Sequence, residues 1–148
     1  MQKVSDIMSR NARTVMPGES IQRAAELMRD EDVGALPVVD GQRLVGMVTD
    51  RDITMRAVAE DRLPSSTSVR DVMSEKIYYC FEDDDIEDAA QCMAENQVRR
   101  LPILNRDKRL TGIVSLADIA QSGEECEKRA LEGVSEPSSE ARREPALT

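Results

Sequence analysis

The sequence predicts a mixed α/β fold in which one small unit occurs twice, and three observations support this. The segment "VSDIM" at Val4 returns as "VRDVM" at Val69, and the same offset of 65 residues aligns "VGALPVVD" with "VRRLPILN". A fixed offset of this kind indicates a repeated supersecondary unit. Each copy also contains apolar residues at helical spacing, followed by two short apolar runs around a polar turn.

The first helix of each copy is predicted from its cap and its periodicity. Apolar residues at three- and four-residue spacing follow Ser20 in the first copy and Asp85 in the second. Ser and Asp are favoured N-cap residues because their side chains accept hydrogen bonds from the free amides of the first turn. We expect these helices to end near Asp32 and Asn96.

A β-hairpin and a second helix should follow in each copy. The strands "ALPVVD" and "RLPILN" carry Pro near their start, and the polar turns "GQR" and "NRDKR" lead into "LVGMV" and "LTGIV". Proline is tolerated at a strand start because it has no N–H to donate to the ladder. The second helix of the first copy should run towards Glu60.

The repetition sets the predicted domain boundaries. We expect a first repeat at 1–62, a linker at 63–68, a second repeat at 69–121 and an acidic tail at 122–148. Because the tail is poor in large apolar residues and punctuated by Ser and Pro, its end from about Gly133 is expected to be disordered.

Composition and charge exclude several classes of function. A net charge of −9 and 2% aromatic residues argue against a nucleic-acid partner. The chain has no histidine, which excludes Ser-His-Asp triads and histidine bases, and we expect no enzyme. The sequence shows neither an apolar run of roughly 20 residues nor the pattern of a signal peptide, so we expect no membrane partner. Its three cysteines lack CxxC spacing, which favours reduced thiols and a cytoplasmic protein.

The second helix of each copy begins at a Thr/Ser-x-x-Asp motif that has two interpretations. Thr49 with Asp52, and Ser115 with Asp118, fit a capping box in which hydroxyl and carboxylate bond each other's backbone amides. A helix start that carries a hydroxyl and a carboxylate can also receive the phosphate and ribose of a nucleotide. The residues alone leave both interpretations open.

Residues 4–120 resemble a tandem pair of cystathionine-β-synthase-type (CBS) domains, through "VSDIM…LPVVD…LVGMVTDRDI" and "VRDVM…RRLPILN…LTGIVSLADI". The resemblance implies an α/β (α+β) fold of two pseudo-twofold-related repeats, each a small mixed three-stranded sheet with two helices. It also implies two clefts between the repeats, an adenosyl ligand such as AMP, ADP, ATP or S-adenosylmethionine, and a homodimer.

The resemblance assigns roles to residues of both copies. Asp52 and Asp118 would accept from ribose hydroxyls, and Thr49 and Ser115 would hold neighbouring ribose or phosphate oxygens. Apolar walls against the purine would come from Leu36, Pro37, Leu101 and Pro102. The backbone would read the adenine edge around Thr14, Val15, Tyr79 and Cys80.

Charged residues distinguish the two copies. Arg99 and Arg100 stand where the first copy has Gly34 and Ala35, and they form either a solvated pair or a phosphate clamp, since Arg offers forked donors. The resemblance supports the clamp. Arg51 is either paired within its own turn or placed beside a phosphate of the first cleft. The two clefts should therefore differ in affinity.

The predicted function is an adenine-nucleotide-binding regulatory or sensor module without catalytic activity, which passes its state to an unidentified effector protein. The alternative is a dimerising protein-interaction scaffold with empty or degenerate pockets. The acidic run Glu82–Asp88 does not match an EF-hand loop and is expected to be a solvated helix start. Any Mg²⁺ should arrive with the nucleotide, since no dedicated metal site is predicted.

Overall fold

The computed structural model describes residues 2–122 and 144–145, so almost all of the predicted tail lies outside the described residues. The helices are α1 (Ile21–Glu31), α2 (Asp50–Ile53, continued by a π-helical turn at Thr54–Val58), α3 (Ile86–Asn96) and α4 (Leu116–Ser122). The strands are β1 (Ala35–Asp40), β2 (Arg43–Thr49), β3 (Lys76–Ile77), β4 (Cys80–Phe81), β5 (Arg100–Leu104), β6 (Leu110–Ser115) and β7 (Glu144–Pro145). Short 3-10 turns lie at Val4–Asp6, Pro64–Ser66 and Val69–Asp71.

The bounds of α1 and α3 confirm the predicted caps. The Ser20 hydroxyl accepts a hydrogen bond from the Arg23 N–H at 3.1 Å, and α1 ends where Asp32 adopts a left-handed φ of 54°. Helix α3 begins after Asp85 and ends at Asn96, before a second left-handed residue with a φ of 55°. Such left-handed residues terminate helices because they redirect the backbone.

The chain packs into two compact units that do not coincide with the sequence repeats. The first unit contains Arg13–Ile77 and Pro145, and the second unit contains residues 2–12, 78–122 and 144. Residues 69–77 therefore pack with the first hairpin, and residues 2–12 pack with the second. The predicted repeats at 1–62 and 69–121 are units of sequence, and their boundaries stay a prediction.

Paired hydrogen bonds fix residues 69–77 to the first hairpin and residues 2–12 to the second, and we call these two stretches the crossing segments. In the first unit, Met47 and Ser74 exchange N–H···O bonds of 3.0 and 2.9 Å. In the second unit, Ser9 and Ile113 exchange bonds of 2.8 and 3.0 Å. Because each pair uses both backbone groups of a strand residue, the crossing segment acts as an extra edge of the hairpin.

The sheets confirm a mixed α/β fold. In the first unit β1 pairs antiparallel with β2, and Val15 adds a single parallel bridge to Val38. In the second unit β4 runs parallel to β5 and β5 antiparallel to β6, which forms the expected mixed three-stranded sheet. The remaining two short strands, β3 and β7, pair with each other.

No helix in the described part of the chain has the length and apolar character needed to cross a membrane.

Each unit has its own apolar core between its first helix and its hairpin. The core of the first unit includes Ile21, Ala24, Met28, Leu36, Val38 and Val48. The core of the second unit includes Ile86, Ala89, Met93, Leu101, Ile103 and Val114. The helical residues of both lists recur at three- and four-residue spacing, so the predicted apolar stripes face the hairpins.

Two glycines allow the crossing segments to approach the hairpins. A Cβ at Gly46 would lie 2.7 Å from the Ser74 carbonyl oxygen. A Cβ at Gly112 would lie 2.7 Å from the Met8 sulfur and 2.8 Å from the Ser9 carbonyl oxygen. Real Cβ contacts are longer, so only glycine fits these strand positions without displacing a hydrogen-bonded backbone.

We expect Gly46→Ala and Gly112→Ala each to lower the free energy of unfolding by about 1–3 kcal/mol, the usual cost of overpacking. Urea denaturation measures the change. The matched control is Gly18→Ala, since nothing lies within 4 Å of a Cβ at Gly18. Equal midpoints for all three variants would contradict the close approach.

Candidate functional site

The two Thr/Ser-x-x-Asp motifs form strand-to-helix corners, one in each unit. We call Thr49–Asp52 with Gly34 and Ala35 the first corner, and Ser115–Asp118 with Arg99 and Arg100 the second corner. Each corner joins the end of a hairpin to the start of a helix. The geometry of each corner is set within its own unit.

Both motifs form the predicted capping box. In the first corner the Asp52 N–H donates to the Thr49 hydroxyl at 3.0 Å, and the Thr49 N–H donates to Asp52 Oδ2 at 2.9 Å. In the second corner the Asp118 N–H donates to the Ser115 hydroxyl at 3.1 Å, and the Ser115 N–H donates to Asp118 Oδ2 at 2.8 Å. The structural interpretation of the motif is therefore confirmed.

The cap leaves hydrogen-bonding capacity on each carboxylate. Each box uses Oδ2, and an ionised carboxylate can accept about four hydrogen bonds over its two oxygens. Asp52 Oδ1 lies 4.0 Å from the Arg56 guanidinium, and the Asp52 side chain is 16% exposed. Asp118 is likewise half-buried. A ribose hydroxyl can therefore bond to either carboxylate without breaking the cap.

Strand register places the arginine pair at the second corner. Arg100 lies opposite Ser115 in the β5–β6 ladder, and the Arg99 carbonyl accepts a hydrogen bond from the Leu116 N–H at 2.8 Å. Both arginines are exposed. The equivalent contacts in the first corner join Ala35 to Thr49 and the Gly34 carbonyl to the Asp50 N–H. The first corner thus has small neutral residues where the second has two guanidinium groups.

The predicted purine walls lie in buried strand segments. Leu36 is 2% exposed and Leu101 is 0% exposed, and both belong to the cores of their units. Pro37 and Pro102 are also buried. Because side chains alternate along a strand, each proline faces the side of the sheet opposite to its leucine. A role for these four residues against a purine stays a prediction.

The backbone groups predicted to hydrogen-bond the adenine edge point in different directions. The Val15 N–H donates to the Pro37 carbonyl at 3.1 Å, and the Val15 carbonyl accepts from the Val39 N–H at 2.9 Å. Both groups of Val15 therefore face β1. Since backbone groups alternate along an extended strand, those of Thr14 point away from β1.

Tyr79 stands at the position of Thr14 in the second unit, and its side chain packs inside that unit. The Tyr79 side chain is 2% exposed. Its ring meets the Phe81 ring edge-on, with centroids 5.5 Å apart. The side chain therefore packs inside the unit, and a role for the backbone at this position in contacting adenine stays a prediction.

Asp50 differs from its counterpart Leu116 in the sequence, but no role was predicted for it, and the structure gives it one in the first corner. A Cβ on Gly34 would lie 3.1 Å from Asp50 Oδ2, so the carboxylate packs against the bare Cα of Gly34. Asp50 Oδ1 accepts a hydrogen bond from the Arg51 N–H at 2.8 Å, and the Arg51 side chain is exposed. The signal was the joint occurrence of Gly34 and Asp50 where the second copy has Arg99 and Leu116.

The acidic run is engaged by basic side chains. Arg106 forms a two-pronged pair with Asp83 at 2.8 and 3.0 Å, and its hydrogen bond lowers the pKa of the Asp83 carboxyl. Lys3 contacts Asp85 at 3.0 Å. Among the residues that the structure describes, no group of three His, Cys, Asp or Glu residues is arranged to hold a metal ion.

Comparison with known proteins agrees with this architecture. The profile of the CBS domain matches residues 4–58 and 69–125. The CBS domain-containing protein YhcV of Bacillus subtilis is 43% identical over 137 residues, covering 91% of this chain and 96% of that protein.

Two solved structures share the fold. Hypoxic Response Protein I, solved with two coordinated zinc ions, aligns with a TM-score of 0.76 and 37% identity, over 83% of this chain and 100% of that one. CBSX2 in complex with AMP aligns with a TM-score of 0.71 and 28% identity, over 82% of this chain and 96% of that one. The repeated hairpin–corner–helix unit and these matches show that the chain belongs to the CBS domain family, as a tandem pair of CBS domains.

Proposed function

We propose that this CBS pair is an adenine-nucleotide-binding regulatory module without catalytic activity, and that the second corner binds the phosphate-bearing ligand. The observation that carries the proposal is the meeting of Arg99 and Arg100 with the Ser115–Asp118 cap at one corner. That corner combines an acceptor for sugar hydroxyls with two cationic donors for phosphate.

The chemistry of the second corner suits a nucleotide. The free lone pairs of Asp118 accept from the ribose hydroxyls, while Ser115 lies beside the same sugar. The two guanidinium groups donate forked, charge-assisted hydrogen bonds to phosphate oxygens. In a chain with a net charge of −9, a local pair of positive charges also attracts an anion to this corner specifically.

The base is proposed to lie against the strands behind each corner. Backbone groups at Thr14 in the first unit and at Tyr79 in the second would read its edge, and the Leu-Pro segments of β1 and β5 would flank it. CBSX2, a related fold, has been solved in complex with AMP, which supports an adenosyl ligand. Mg²⁺ would accompany ATP or ADP through the phosphates.

The output of binding is proposed to pass through other protein surfaces. A regulatory module without catalytic activity acts through its contacts with other proteins. We therefore propose a homodimer and an effector protein as partners. Cys80 and Cys92 are buried and reduced, which suits the reducing setting of the cytoplasm.

A protein-interaction scaffold is the second candidate, and two observations favour it. Both capping boxes satisfy their hydrogen bonds within the chain, which gives each motif a structural role of its own. The first unit also exposes large apolar side chains, Met16 at 57%, Met55 at 53%, Val58 at 62% and Leu63 at 68%. Apolar residues in such number suit a docking partner.

Ligand-dependent stability separates the two candidates. We expect AMP, ADP or ATP to raise the melting temperature, because a ligand at 100 times its Kd stabilises the folded state by about 2.7 kcal/mol. Differential scanning fluorimetry at millimolar ligand measures the shift. No shift with these nucleotides, S-adenosylmethionine or NAD would favour the scaffold.

Removing the arginine pair tests the phosphate clamp. We expect Arg99→Ala with Arg100→Ala to weaken ATP and ADP binding by at least about tenfold, since each charged hydrogen bond contributes about 1.5–3 kcal/mol. Adenosine binding should change little. Isothermal titration calorimetry measures all three affinities.

The matched control for the clamp is Arg43→Ala with Lys108→Ala. These exposed residues lie at the turn ends of the two hairpins, away from both corners, and their loss changes the net charge equally. Equal weakening of ATP binding in both double variants would mean that overall charge, and not the clamp, attracts the nucleotide.

The two acids should act on separate binding events. We expect Asp52→Asn and Asp118→Asn each to weaken one of two binding events while the melting temperature changes little, because an amide oxygen still accepts the cap hydrogen bond. Calorimetry and thermal melts on the same samples measure both effects. Variants that melt several degrees lower and bind both ATP and adenosine normally would show that the acids are purely structural.

A further inference from the structure

We infer that the first corner is closed to 5′-phosphorylated ligands by the carboxylate of Asp50, and that it takes a nucleoside without a 5′-phosphate. The inference rests on the proposed function, in which each Thr/Ser-x-x-Asp corner holds a ribose. The second corner then binds a phosphorylated nucleotide, and the first corner binds a nucleoside that has no 5′-phosphate.

The backbones of the two corners correspond residue by residue. The Asp50 N–H donates to the Gly34 carbonyl at 2.9 Å, and the Leu116 N–H donates to the Arg99 carbonyl at 2.8 Å. Asp50 therefore occupies the place of Leu116, and Gly34 the place of Arg99. Differences in what the corners bind must come from the side chains at these positions.

The Asp50 carboxylate takes the place of an anion in the first corner. One of its oxygens accepts the Arg51 N–H at 2.8 Å, and the other packs against Gly34, 3.1 Å from where a Cβ would stand. Leu116 has no acceptor to offer the equivalent N–H of Ala117. A carboxylate thus lies beside Gly34, at the backbone position where the second corner has Arg99.

The surrounding charges reinforce this difference. Asp50 and Asp52 place two carboxylates in the first corner, and the Arg56 guanidinium there already donates to the carbonyls of Val72 and Met73. Arg51 remains as an exposed side chain. Because the second corner also contains an aspartate, Asp118, the Asp50 carboxylate is the like charge that distinguishes the first corner, and we expect it to weaken the binding of a nucleotide phosphate there by about tenfold or more.

The space beside Gly34 also limits what could stand at this position. An arginine there, as at Arg99 in the second corner, would crowd the Asp50 carboxylate. A side chain at position 34 would begin 3.1 Å from Asp50 Oδ2, so the carboxylate would have to shift by a few tenths of an ångström to make room for it. An arginine clamp like that of the second corner therefore needs changes at both positions, whereas loss of the Asp50 charge alone removes the repulsion. The alternative is that Asp50 only stabilises the start of α2 as a first-turn acid.

Isothermal titration of ATP and of adenosine into Asp50→Asn distinguishes these roles. The amide keeps the shape and the acceptor of Asp50 and removes its charge. The substitution is made in the Arg99→Ala, Arg100→Ala background, where ATP binding at the second corner is weakened. The matched control in that background is Glu60→Gln, an exposed carboxylate of the same unit, and thermal melts check folding.

We expect Asp50→Asn to strengthen ATP binding at least about tenfold with adenosine unchanged, and Glu60→Gln to change neither. If the background binds ATP as well as adenosine and Asp50→Asn alters nothing, the inference is overturned while the proposed function stands. If the background loses adenosine that the wild type binds, the first corner holds no nucleoside and the inference also falls. If the wild type binds neither ligand, the proposed function itself falls.

Discussion

The reciprocal hydrogen bonds between a hydroxyl residue and an aspartate, three residues apart, are the constraint on which both corners depend. Thr49 with Asp52, and Ser115 with Asp118, turn a strand directly into a helix while satisfying two of the free amides at the helix start. The antiparallel partner strand then lies beside the same turn. The cap thereby decides which side chains lie together at the corner, as well as where the helix begins.

Much of this architecture is readable in the sequence because its causes are local. Caps at Ser20 and Asp85, the amphipathic stripes and the hairpins follow from spacing within a dozen residues. The crossing of residues 2–12 and 69–77 could not be predicted, since it depends on contacts between distant segments. Gly46 and Gly112 carried the only trace of it: each leaves room for a crossing backbone.

The composition of the site shows the same division between local and distant causes. The sequence supplied the candidate residues, but register placed Arg99 and Arg100 at the Ser115–Asp118 cap. It also placed the Asp50 carboxylate on Gly34, where the second copy has neither a carboxylate nor a glycine. Duplication thus preserved two similar backbones, and a few side chains gave them opposite charges. For that reason we expect the two corners to bind different ligands.

The proposed role of the capping aspartate is to hold a ribose while it still caps its helix. A crystal structure of the chain grown with ATP checks this double role. We expect ribose hydroxyls within hydrogen-bond distance of Asp118, phosphate oxygens against Arg99 and Arg100, and an intact Ser115–Asp118 cap. A nucleotide bound away from Asp118, or bound only after the cap has opened, would rule the double role out.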